Sequence, residues 1–200
     1  MQAPASKASR RARAVAGLVL TPGASAGREQ PALVAIDDAV SVSGVRVERI
    51  DFPYRLAGRR APDRPLVLIA TIRDAAQDLA RTLRTTPRRI ALGGRSMGGR
   101  MCSMAVAEGL EAAALVLVSY PLHPPGKPDR LRIEHLGALD VPCLFVSGTR
   151  DAFGSPEELE AATARIPGAV THCWLDGGDH GLRGRDAQVA EVIRDWVTAL

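Results

Sequence analysis

The order of apolar and polar positions predicts strands and helices in regular alternation. Ala14–Leu20 is a short unbroken apolar run closed by Pro22-Gly23, the pattern of a strand buried on both faces. From Pro31, the residues Leu33, Ile36 and Val40 recur at helical spacing up to Gly44. Val45, Val47 and Ile50 then alternate with Arg46 and Arg49 until Pro53, which predicts a strand. The Arg-, Gly- and Pro-rich stretch from Tyr54 to Pro65 reads as a loop. Beyond it Leu68, Ile72, Ala75, Leu79 and Leu83 keep the three-four spacing of a helix.

The second half continues in the same way. Arg89–Leu92 reads as a short strand, Gly93–Gly99 as a turn and Met101–Leu110 as a helix. Ala113–Ser119 is another buried strand, and Tyr120–Arg130, with its four prolines, is a loop. Val141–Ser147 predicts a strand, and Ser155, Pro156 and Glu158 supply the N-cap, first-turn proline and N3 acid of a helix. Val170–Leu175 is the last strand, followed by a helix with Val189, Ile193 and Trp196 on one face. Alternation of this kind predicts an α/β fold of three layers, a mostly parallel sheet of about six strands with helices on both faces. Ligands of such sheets bind beyond the carboxyl ends of the strands.

Composition narrows the function. With 46% hydrophobic and 24% charged residues, the 200-residue chain has the balance of one globular domain rather than a disordered or fibrous one. No stretch reaches the ~20 apolar residues of a membrane helix. The formal net charge of +4 comes from Lys7, Arg10, Arg11 and Arg13, since the remaining 22 bases meet 22 acids. The reading is therefore a disordered basic tail over residues 1–12 and a single neutral domain over 13–200. Only seven aromatic residues are present, too few for a base-stacking platform, so neither nucleic acid nor membrane is an expected partner. Cys102, Cys143 and Cys173 are far apart in apolar surroundings and include no C-x-x-C, which points to a reducing, cytoplasmic compartment and no metal site. Arg10-Arg11, the apolar run to Leu20 and Ala24-Ser25-Ala26 also fit a signal peptide. Cleavage there would remove a central strand, so the tail is expected to stay.

The strongest chemical signal is Gly94-Arg95-Ser96-Met97-Gly98, a G-x-S-x-G placed between a strand and a helix. A turn this tight needs glycine two residues to either side of the serine, and it lifts the hydroxyl clear of the sheet. The Met97 N–H, at the helix start, then points to where an oxyanion would form. A serine needs a base and the base an orienting acid. His180, just past the last strand, is the expected base; His172 reads as an edge-strand side chain, His123 as a pocket wall and His135 as part of an amphipathic stretch. Asp151, past the strand ending at Ser147, is the expected acid, while Asp176 and Asp179 stand too close in sequence to His180 to reach its far nitrogen. The loop from Thr21 to Gly27 supplies the second oxyanion donor, with Ala24 N–H the first choice and Ser25 the second.

These stretches together resemble an α/β-hydrolase from about residue 14 onward. More narrowly the chain resembles the small, dienelactone-hydrolase-like proteins grouped with Tex30 and the hydrolase-like domain of KANSL3, through Leu18–Gly27, Arg49–Tyr54 with Gly58-Arg59-Arg60, Gly93–Met101, Tyr120–Gly126 and Gly177–Leu182. The resemblance implies a triad of Ser96, Asp151 and His180. The chain departs from the full fold in the absent leading hairpin and in Pro22 where many hydrolases carry His. With no insertion long enough for a lid, an open pocket walled by loops 54–65 and 121–130 is expected. Tyr54, Ser25, Arg95 and His123 are the expected substrate-binding residues, and Arg95 or Arg100 could draw in an anionic substrate. The expected activity is a cofactor-independent serine hydrolase acting on a small acyl substrate, carboxylesterase- or thioesterase-like, as a monomer or homodimer. A non-catalytic interaction module on the same scaffold is the alternative.

Overall fold

The computed structural model describes residues 15–200, so the expected basic tail lies outside the described residues. Six strands, β1 (Gly17–Thr21), β2 (Arg46–Arg49), β3 (Ile90–Arg95), β4 (Leu115–Val118), β5 (Cys143–Gly148) and β6 (Val170–Leu175), form one sheet in the order β2-β1-β3-β4-β5-β6. Every pairing is parallel, so the sheet is all parallel rather than mostly so. Parallel neighbours require crossovers, and helices supply most of them: α1 (Pro31–Ser41), α2 (Pro53–Leu56), α3 (Pro65–Thr82), α4 (Met97–Ala107), α5 (Pro156–Thr163) and α6 (Asp186–Ala199). No helix among the described residues is long and apolar enough to cross a membrane.

Side chains of a strand alternate between faces, and the two cores follow that alternation. Leu18 and Leu20 of β1 pack with Leu33, Ile36 and Val40 of α1 and Val189, Ile193 and Val197 of α6. Val19, between them, belongs to the opposite core with Leu68, Ile72 and Leu79 of α3, Met101 of α4 and Leu159 of α5. Trp196 is only partly buried, and Ala190 and Val197 complete the inner face of α6 instead. The α5 start forms as its residues predict: the Glu158 N–H donates to Ser155 Oγ, and the Ser155 N–H donates to Glu158 Oε2.

Three elements differ from the sequence reading. β3 runs through Gly93 and Gly94 to Arg95, and α4 begins at Met97, so the expected seven-residue turn shrinks to Ser96. Glycines carry no hydrophobic period, yet their backbones pair with Leu20 and Thr21 on one side and Val116 and Leu117 on the other. The loop after Phe52 opens with the single helical turn α2, which buries Tyr54 completely. β2 is shorter than the alternation implied, because it is an edge strand with β1 as its one partner.

One partly buried polar cluster braces the segment between β4 and β5. His135 Nε2 lies 2.8 Å from Ser103 Oγ of α4, and the Tyr120 hydroxyl donates to the Arg132 carbonyl at 3.0 Å. Burial, aided by the Arg100 charge, pushes His135 down from 6.5 to about 4. The folded protein therefore holds this imidazole neutral in a pH range where the unfolded chain protonates it. Stability is accordingly expected to fall as pH drops from about 6.5 toward 4, with His135→Asn flattening that dependence. Urea midpoints at several pH values across the window check both.

Candidate active site

β3, β5 and β6 all end on one edge of the sheet, and the three candidate catalytic residues stand on the segments leaving them. Ser96 occupies the one position between β3 and α4, at φ 51° and ψ −117°. A non-glycine residue at positive φ is strained by ~1–3 kcal/mol and persists only when its surroundings hold it. The hold is visible at Thr21. A Cβ on Gly94 would run into Thr21 Oγ1, and one on Gly98 would lie 2.5 Å from the Pro22 carbonyl oxygen. The Thr21 hydroxyl donates to the Gly93 carbonyl at 3.0 Å, tying β1 to β3 at the turn.

Three side chains meet at this edge. Ser96 Oγ is 2.9 Å from His180 Nε2. His180 Nδ1 is 2.8 and 3.0 Å from the two carboxylate oxygens of Asp151. Asp151 is buried, 6% exposed, and its Oδ1 also accepts the Phe153 N–H at 2.8 Å, so its position is set by more than the histidine. The two loops touch directly, because Gly148 packs against the Gly178 backbone so tightly that a Cβ would collide with it. Asp179 and Asp176 serve their own turns: Asp179 Oδ1 accepts the Leu182 N–H, and Asp176 Oδ1 accepts the Thr149 hydroxyl. His172, on β6, is bonded to Thr163 Oγ1 of α5 and not to this cluster.

A cleft of about 490 Å³ opens over Ser96, lined by Gly23–Ala26, Gln30, Arg95, Met97, Arg100, Pro121, Arg132, Phe153 and His180. Met97, as the first residue of α4, has an N–H with no carbonyl partner four residues back in its helix. In the loop after β1, the Gly23 N–H donates to Gln30 Oε1 at 3.2 Å and the Ala26 N–H to the Gly23 carbonyl at 3.1 Å. Between those two bonded residues, Ala24 and Ser25 line the cleft together with Met97.

Other expectations need correcting. Tyr54 is not a pocket wall: its ring is buried and its hydroxyl donates to the Ala24 carbonyl at 2.7 Å, holding the loop from behind. Loop 54–65 does not line the cleft, since α2 folds it under. His123 is buried as well, with Nε2 3.3 Å from Glu158 Oε2. Its N–H donates to the Phe153 carbonyl, so it supports the wall without forming it. Arg95 does line the cleft, but its guanidinium donates to the His180 carbonyl at 2.5 Å. Burial holds the Arg95 pKa down, with Asp186, Asp151 and Asp179 opposing.

Phe153, Gln30 and Arg132 are lining residues that the sequence reading passed over. Phe153 stacks on the His180 ring with centroids 4.0 Å apart, fixing the plane of the imidazole. Its place two residues past the acid was the available signal. Gln30 stands directly before the helix-opening Pro31, and Arg132 sits in an irregular segment with no sequence signal at all.

The match to known proteins is to the alpha/beta hydrolase domain, over residues 14–198. This chain belongs to the alpha/beta hydrolase family. Among solved structures it is similar to an alpha-beta serine hydrolase homologue from Coxiella burnetii, at 17% identity and TM-score 0.74, covering 90% of this chain and 84% of that one. Est1E from Butyrivibrio proteoclasticus matches at 18% identity and TM-score 0.72, over 92% and 87% of the two chains. Dienelactone hydrolase from Anabaena variabilis matches at 18% and 0.72, over 92% and 85%. At these identities the likeness speaks for the fold.

The glycine contacts give a direct test of how the turn is held. Gly98→Ala is expected to lower stability by about 1–3 kcal/mol, because the clash is with backbone that cannot step aside. Gly137→Ala, where the nearest atom is 4.0 Å away, should stay close to wild type. Urea unfolding of the two variants in parallel makes the comparison.

Proposed function

We propose that this alpha/beta hydrolase is a cofactor-independent serine hydrolase of acyl substrates, carboxylesterase- or thioesterase-like. The observation that carries the reading is the continuous chain from Ser96 Oγ through His180 to buried Asp151, at 2.9 and 2.8 Å. Ser96 Oγ attacks the acyl carbon as its proton passes to His180 Nε2. The oxyanion that forms is held by the N–H groups of Met97 and Ala24, each worth on the order of 3 kcal/mol in the transition state. Collapse expels the leaving group with the proton from His180, giving an acyl-Ser96 ester. Water, deprotonated by the same nitrogen, then releases the acid and restores the serine. Asp151 keeps the imidazole in the tautomer that accepts at Nε2 and stabilises the imidazolium between steps.

The kinship with the Tex30 and KANSL3 type of small hydrolase belongs to the same proposal. It is supported by the two stretches whose residues build the cleft's supports, Arg49–Tyr54 and Tyr120–Gly126. A cytoplasmic setting is supported by three free cysteines, of which Cys102 and Cys143 are buried and held as thiols, their pKa values raised by burial to about 12.

A fluorophosphonate probe tests the mechanism. One adduct is expected on the wild-type protein by intact mass, absent from Ser96→Ala. Hydrolysis of 4-nitrophenyl esters should fall by about 10⁴-fold or more in Ser96→Ala and His180→Ala. Absence of an adduct on folded wild-type protein would overturn the hydrolase reading in favour of an interaction module.

A further inference from the structure

The cleft holds three guanidinium groups, and they are not equivalent. Arg95 is spent on the His180 carbonyl. Arg100 and Arg132 also line the cleft, and among the described residues neither makes a salt bridge. Arg100 Nε is buried without a hydrogen-bond partner. The Arg132 guanidinium has a single weak bond, from its Nη1 to the Pro121 carbonyl at 3.3 Å, while its backbone is pinned at both ends by Leu122 and Tyr120.

The two are close enough that the Arg100 charge, after burial, lowers the pKa of Arg132. The Arg100 charge also acts on His135 beneath them, and the acid nearby, Glu134, is exposed. Two like charges brought together beside a partly buried neutral histidine are costly without a counter-charge, and the buried, unpaired Arg100 Nε adds to that cost. An anion placed between them would satisfy both.

We infer that Arg100 and Arg132 form an anion subsite of the cleft, and that the substrate carries a carboxylate or similar anionic group a few bonds from the scissile carbonyl. The inference rests on the serine-hydrolase reading for the position of that carbonyl. The spacing follows from the helix. Arg100 N–H donates to the Ser96 carbonyl at 3.1 Å, so Arg100 stands one turn along α4 from the serine. A planar fork suits a carboxylate better than an ammonium would. Short dicarboxylate half-esters match this geometry.

The test compares kcat/KM for 4-nitrophenyl butyrate and mono-4-nitrophenyl glutarate, which share a leaving group and differ in a terminal carboxylate. Calorimetric binding of glutarate gives a reading independent of turnover. The expected result is a preference of about tenfold or more for the anionic ester, together with glutarate binding. Arg100→Gln and Arg132→Gln should each cut both by about tenfold. Arg100→Lys and Arg132→Lys, which keep the charge, should retain part of the preference, as a role in packing alone would not. Equal rates on the two esters, or a preference that survives the glutamine substitutions, overturns the subsite and leaves the serine mechanism standing. Glutarate binding that depends on both arginines, with neither ester hydrolysed and no fluorophosphonate adduct, keeps the subsite and overturns the hydrolase reading. Neither binding nor turnover overturns both.

Discussion

Strands β1 and β3 and the first turn of α4 come together at Thr21, and the rest of the site depends on how near they approach. The side chain and carbonyl of Thr21 occupy the space that a Cβ on Gly94 or Gly98 would need. With both positions reduced to hydrogen, the chain passes from β-ladder to helix within one residue. Ser96 takes the strained conformation that this requires. The strain is local, whereas the ladder bonds of β3 to two neighbours and the helical bonds of α4 are many. A residue held from both sides in this way cannot relax without unpairing one of them.

The all-parallel sheet then does the assembling. Since every strand points the same way, the segments leaving β3, β5 and β6 emerge on one edge, and residues 84 and 29 positions apart in the chain arrive within hydrogen-bond distance. Precision comes from the layer behind them. Tyr54 holds the loop after β1 by the Ala24 carbonyl, and the Gly148–Gly178 contact sets the Asp151 loop against the His180 loop. His123 and Phe153 set the wall and the ring plane. Tyr54 and His123 are buried, which shields their hydrogen bonds from competition with water.

Charge is distributed in the cleft with the same economy. The chain contains 24 arginines, and most of those among the described residues are exposed, where a single guanidinium carries little meaning. What distinguishes Arg95 from Arg100 and Arg132 is the company each keeps. The first is committed to the His180 carbonyl, and the other two line the cleft with no salt bridge among the described residues. Two guanidinium groups lining the cleft beside Ser96 favour negative charge in whatever binds there.

Much of this was legible along the chain. Period and turn residues identify the alternation of strands and helices, and the capping residues of α5 locate its first turn. The glycine spacing around Ser96 marks the turn, because that pattern follows from a local steric requirement. The order Ser96, Asp151, His180, each just beyond a strand, could be read for the same reason: in a parallel sheet, position along the chain implies position along the edge. Other features had no local cause. Gly93 and Gly94 read as a turn until partners on both sides were in place to make them strand. Tyr54 and His123 looked like wall residues, since burial against a loop distant in sequence leaves no periodic trace. Arg132 carried no signal, and Arg95 and Arg100 were indistinguishable as charges flanking a serine. A guanidinium's role depends on which carbonyls and carboxylates lie within a few ångströms. Those neighbours come from elsewhere in the chain and exist only once it has folded.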